Sequence, residues 1–128
     1  MCLITKQICP IRARKDITVY KVLEKNLTNT KYITPFTRTP VVLHETLHAR
    51  GKLYRGKCKY PHRLLMYEIG CGYIHCYTSL DTIHKFHCMG KYEVVVKCII
   101  RKGTLYYKSH HGLQICATQV DILDEVIL

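Results

Sequence analysis

The sequence predicts an α+β domain, mainly antiparallel β meander with one short helix at about 79–88. Three observations carry this. Tyr92, Val94, Val96, Cys98 and Ile100 alternate with Glu93, Val95, Lys97, Ile99 and Arg101, the period-two pattern of a strand. Arg101-Lys102-Gly103-Thr104 and Ser109-His110-His111-Gly112 then supply two turn signals, so the last third of the chain reads as three or four consecutive strands. Between 78 and 90, Thr78-Ser79-Leu80-Asp81 resembles a capping box with Asp in the usual Glu position. Leu80, Ile83 and Phe86 follow at helical spacing, and Gly90 closes the segment.

The remaining elements follow from local chemistry. Residues 1–16 read as a basic, irregular amino-terminal segment in which Cys9-Pro10 disfavours helix. The rest, 17–128, reads as a single domain, because 128 residues suffice for one core but not two. Ile17 to Leu23 is rich in β-branched residues and predicts a strand. Asn26 to Thr30 is a turn-rich link, and Tyr32-Ile33-Thr34 predicts a short partner strand ending at Pro35. Residues 35–63 hold three of the four prolines, which favours loops and short edge strands there. Gly70 and Gly72 lead into a strand over Tyr73 to Thr78. Strands, one helix and then more strands, without βαβ repeats, give mainly antiparallel pairing.

Charge narrows the function classes. The chain carries a net charge of +11, and before residue 121 twenty basic side chains face only six acidic ones. Arg50, Lys52, Arg55, Lys57, Lys59 and Arg63 fall in a stretch without any acid, with Tyr54 and Tyr60 interleaved. Cations that neutralise phosphates beside rings that stack on bases suit a polyanion, either nucleic acid or a nucleotide. Arg12, Arg14 and Lys15 extend this with a basic arm. The same field would equally steer the chain toward an acidic protein surface, so an interaction module that blocks an acidic host protein is the second reading. No apolar run reaches the roughly 18 residues of a membrane span, and the first residues lack the apolar stretch of a signal peptide. Those features predict an intracellular, reducing compartment and no membrane partner. The eight cysteines are then expected as free thiols, with Cys76, Cys98 and Cys116 acting as small core hydrophobes.

Enzymatic readings rest on narrower signals. His44-Glu45-Thr46-Leu47-His48 matches the HExxH zinc-peptidase pattern, in which two histidines one helical turn apart bind zinc and the glutamate activates a metal-bound water. The pattern requires a helix, yet Pro40 precedes it and Gly51 follows it closely. In a strand, Glu45 would face away from the two histidines. Zinc held by His44 and His48 therefore stands as an alternative cofactor rather than an expectation, and no catalytic residue is assigned. A second set of metal-ligand types, Cys71, His75, Cys76, His84, His87 and Cys88, lacks the spacing of a zinc finger or ribbon.

Short local motifs add a family likeness. VYKVL at 19–23, GYIHCYTSLD at 72–81 and VVVKCIIRKGTLYY at 94–107 resemble a group of small proteins from bacteriophages, Bacteroides-type genomes and giant DNA viruses. That group runs as a VYK strand, a G-x-H-x-[YF] strand with a short helix, and a KC-x-IPKG-x-x-YY hairpin; Arg101 stands here in place of its proline. The resemblance implies an intracellular protein of viral or mobile-element type and carries no activity. A fainter likeness to ADP-ribosyltransferase-like domains rests on Gly72-Tyr73, Tyr77-Thr78-Ser79 and Lys102-Gly103-Thr104 in that order. It implies a nicotinamide-dinucleotide-dependent transferase as a further alternative.

Overall fold

The computed structural model describes residues 3–7, 9–26, 31–35, 38–50, 55–57, 66–70, 72–87 and 89–127. Among them the chain runs β1 (Leu3–Thr5), β2 (Ile11–Arg12), β3 (Ile17–Lys25), β4 (Tyr32–Ile33), β5 (Pro40–Val41), β6 (Thr46–His48) and β7 (Arg55–Lys57). It continues through β8 (Tyr67–Ile69), β9 (Ile74–Tyr77), α1 (Leu80–Phe86), β10 (Glu93–Ile100), β11 (Leu105–Lys108), β12 (Gln114–Ala117) and β13 (Gln119–Val126). The architecture is mostly antiparallel sheet with one short helix. No helix among the described residues is long and apolar enough to cross a membrane.

The main sheet has the order β2-β11-β12-β9-β3-β10-β13-β6, with β4 pairing β3 and β5. Its spine is the full-length pairing of β3 with β10, from Glu93↔Glu24 to Ile100↔Ile17. Alternation places Val19 and Leu23 of β3 with Val96, Cys98 and Ile100 of β10 in one cluster, joined by Ile74, Cys76, Ile115, Ala117, Val120 and Ile122. Ala13 beside β2 and Leu47 of β6 belong to the same cluster. Both ends of the strand order thus contribute to one buried core.

The other face is covered twice. Helix α1 packs Ile83 and Leu80 against Val22, Tyr77 and Val95. A three-stranded sheet, β1-β8-β7, covers the rest, its Leu3 and Ile69 meeting Tyr107 and Cys116. The segment read as irregular from its sequence therefore supplies two strands, and Leu3 and Thr5 are fully buried. Thr5 satisfies its hydroxyl on the Lys108 carbonyl at 2.6 Å, which fastens β1 to the main sheet.

Two local expectations shift. The strands of the last third exist at the expected places, but β10 and β11 do not pair as a meander. β10 lies between β3 and β13, while β11 lies between β2 and β12. The reason is visible in the turn: the Gly103 N–H donates to Ala13 O at 2.8 Å and the Ala13 N–H to Thr104 O at 2.9 Å. The turn's backbone groups are spent on the amino-terminal arm, and Thr118 then bends the chain so that β13 returns to β10. The helix cap also slides by one residue. Ser79, not Thr78, is the N-cap, its hydroxyl accepting from the Thr82 N–H at 3.3 Å, and the helix ends at Phe86, with His87 as its C-cap, instead of reaching 88.

A bulge marks β13. Val96 faces Glu125 but Cys98 faces Ile122, so β13 carries one extra residue between them. The bulge sets Glu125 beside Val96, where it accepts from Lys25 Nζ at 3.1 Å and Tyr32 Oη at 3.0 Å. Free Cys76, Cys98 and Cys116 are buried, and burial pushes the Cys76 thiol up to about 11 and the Cys116 thiol up to about 12. His75, opposite Cys116, shares an Nε2–H hydrogen bond with Gly70 O at 3.0 Å. Its Nδ1 is buried with no hydrogen-bond partner. Desolvation lowers its pKa to about 4, with the Lys21 ammonium adding to the effect against the Gly70 bond.

Candidate polyanion interface

The 101–104 turn is a docking point for the arm that precedes β3. Gly103 has φ of 92°, a left-handed conformation suited to glycine, and the Thr104 N–H closes the turn on Arg101 O at 3.1 Å. The arm lies against this turn through the β2–β11 pairs Leu105↔Arg12 and Tyr106↔Ile11. Arg12 Nη1 donates to Gly103 O at 3.0 Å. Asp16 Oδ1 accepts the Lys102 N–H at 2.9 Å, and its Oδ2 faces Arg101 Nη1 at 3.2 Å. Residues far apart in sequence are brought together here, since about 90 positions separate Arg12 from Gly103.

The product is an open concavity of about 400 Å³ lined by Arg12, Arg101, Lys102, Thr104, Thr118 and Gln119, among others. Arg14 and Lys15 lie exposed on the same arm, between Ala13 and Asp16. Three cations, Arg12, Arg101 and Lys102, therefore line the concavity, and two carboxylates, Asp16 and Asp121, pair with Arg101. Arg101 is held from both sides, with its Nε 2.6 Å from Asp121 Oδ2. Asp121 is itself fixed by the Thr46 hydroxyl at 2.7 Å, and that bond, then Arg101, holds its carboxyl below the usual range. Asp16 is lowered likewise, first by the Lys102 N–H and then by Arg101. Both acids thus stay ionised, and Arg101 is a pinned guanidinium rather than a free one. Lys102 and Arg12 bear the outward charge.

The footprint expected from sequence is placed only in part. Arg50 is exposed just beyond β6. Arg55 and Lys57 lie on β7, at one edge of the small sheet, in register with Ile69 and Tyr67 of β8. Lys52, Tyr54, Lys59, Tyr60 and Arg63 lie outside the described residues. The HExxH segment is not helical: His44 sits in a turn with φ of 65°, and 46–48 form β6. His44 Nε2 lies 3.1 Å from Asp124 Oδ1, while His48 pairs across the ladder with Gln119. Of the second set, His75 turns to Gly70 O, His84 is exposed on α1, and His87 Nε2 lies 3.1 Å from Glu93 Oε2. Cys71 and Cys88 lie outside the described residues. Among the described residues no group of three or more His, Cys, Asp and Glu is placed to share a metal ion. His110 and His111 occupy the β11–β12 hairpin tip, where His111 Nδ1 accepts the Leu113 N–H at 3.0 Å and caps the turn.

The sequence singles out Arg12, Arg14 and Lys15 but not the meeting of their arm with the 101–104 turn. The signal for it was present, since Asp16 is the one acid among the first twenty-three residues and sits beside three cations. No family model matches this chain, and neither a curated protein nor a solved structure does.

Proposed function

We propose that this chain is a small basic, mainly β binding protein that engages a polyanion, nucleic acid or a nucleotide, at the β10–β11 turn. The observation that supports the reading is the folding of the 12–16 arm onto residues 101–104, which gathers Arg12, Arg101 and Lys102 on the lining of one open concavity, with Arg14 and Lys15 exposed on the adjoining arm. Phosphate contacts of this kind give affinity without base readout, so binding is expected to be weakly sequence-selective and steeply salt-dependent. Arg50, Arg55 and Lys57, the described members of the acid-free 50–63 stretch, form the rival footprint.

The test is fluorescence anisotropy with a labelled oligonucleotide across a salt series. Arg12→Glu with Lys102→Glu should weaken binding at least about tenfold and flatten the salt slope by about two. Arg55→Glu with Lys57→Glu serves as the comparison. Loss only in the second pair would move the site to β7, and loss in neither would end the polyanion reading. Capture of an acidic protein that survives nuclease treatment, with no oligonucleotide binding, would favour the interaction-module reading instead.

A further inference from the structure

We propose that the Asp16 carboxylate occupies the seat that a ligand phosphate takes, so that binding at this turn exchanges one resident carboxylate for one phosphate group. The inference rests on the polyanion reading above and adds to it a defined position and a built-in competitor. Two donors converge on Asp16: the Lys102 backbone N–H at 2.9 Å and Arg101 Nη1 at 3.2 Å. A backbone N–H beside a guanidinium is the donor pair that phosphate oxygens accept in anion sites, and an ionised carboxylate uses the same directions.

The two acids on Arg101 differ in how readily they yield. The Asp16 side chain is 53% exposed, so water and a ligand both reach it and its pairing is screened. Asp121 is 25% exposed, approaches Nε at 2.6 Å and is also tied to the Thr46 hydroxyl. An incoming phosphate therefore meets a guanidinium that stays anchored by Asp121 while Nη1 changes partner. The arm need not detach for this, because Ala13 keeps both of its backbone bonds to the turn. Lys102 and Arg12 on the same rim supply the further positive charge that a phosphate attracts.

The exchange predicts more than a general field effect. Asp16→Asn should tighten binding of a labelled oligonucleotide, or of inorganic triphosphate, at least about fivefold. Asp81→Asn removes the same charge from the exposed first turn of α1 and should change it less than about twofold, since screening confines the influence of distant exposed charges. In the wild-type protein, the Lys102 amide resonance should shift on adding either probe, because its acceptor changes. Whichever probe binds tells a phosphodiester chain from a free phosphate as the source. Equal effects of the two substitutions, or binding that leaves the Lys102 amide unmoved, would overturn the exchange while leaving the polyanion reading intact. Should Asp16→Asn fail to fold, the wild-type Lys102 shift decides alone. If neither probe binds any of the three proteins, the underlying reading fails and this one with it.

Discussion

Lowering the pH should loosen this fold through His75, and the size of the effect can be worked out. The folded state binds a proton on His75 only near pH 4, whereas an unfolded histidine binds one near 6.5. At pH 7.5 neither state is protonated, so the group contributes no pH dependence. Between those values the unfolded chain takes up the proton and the folded one does not, so stability falls as the pH falls. The full displacement corresponds to about 3 kcal/mol, and most of it, about 2 to 3 kcal/mol, is lost by pH 4.5. The cause is structural: Nε2 already donates to Gly70 O, Nδ1 is buried without a partner, and the Lys21 ammonium lies nearby on the His75 carbonyl at 2.8 Å. A second ring proton would be a buried charge with no acceptor. The assay is urea denaturation followed by tyrosine fluorescence at pH 7.5 and 4.5, since the chain has ten tyrosines and no tryptophan. His75→Gln keeps an N–H for Gly70 and removes the titration, so its stability difference between the two pH values should be smaller by that amount. Equal losses in both proteins would refute the argument and assign the acid sensitivity to the carboxylates.

Three other outcomes follow from the packing. Ile122→Ala, at a side chain 1% exposed in the main core, should cost about 2–5 kcal/mol in denaturant titration, from lost burial plus the cavity left behind. Gly103→Ala should cost about 1 kcal/mol or more through backbone strain alone, because a Cβ there meets nothing within 4 Å; thermal unfolding measures it, and no change would contradict the left-handed turn. Under native conditions a thiol reagent should leave Cys76, Cys98 and Cys116 unmodified while exposed Cys9 reacts, as read by peptide mapping. Burial keeps those three as thiols, and the thiolate is the reactive form.

Local patterns were legible and long-range pairing was not. Alternation at 92–101 located β10, and Gly103 and Gly112 marked real turns, because strand periodicity and left-handed glycines are properties of a few neighbouring residues. The partner of each strand depends on groups elsewhere. Nothing in Arg101–Thr104 announces that its backbone will bond Ala13 and Asp16 rather than the far side of a hairpin. The helix cap slid to Ser79 because Thr78 turns its hydroxyl to the Gly112 and Leu113 carbonyls, a tertiary contact. The same limit governs the candidate site. The density of cations around 50–63 is a one-dimensional signal, whereas the concavity needs Arg12 and Lys102 to meet across the fold.

The β3–β10 spine also constrains how this chain can be made. β3 ends at Lys25 and its full-length partner begins at Glu93, so the strand emerges from the ribosome with roughly 70 residues of its partner's delay still to come. At about 5–20 residues per second that is a wait of about 4–14 s. Through that interval Val19, Val22 and Leu23 have no sheet to join along most of their length, and the loop to be closed is among the longest the chain contains. During those seconds the unpaired length of β3 is open to misassembly, a hazard that belongs to synthesis and not to the finished sheet.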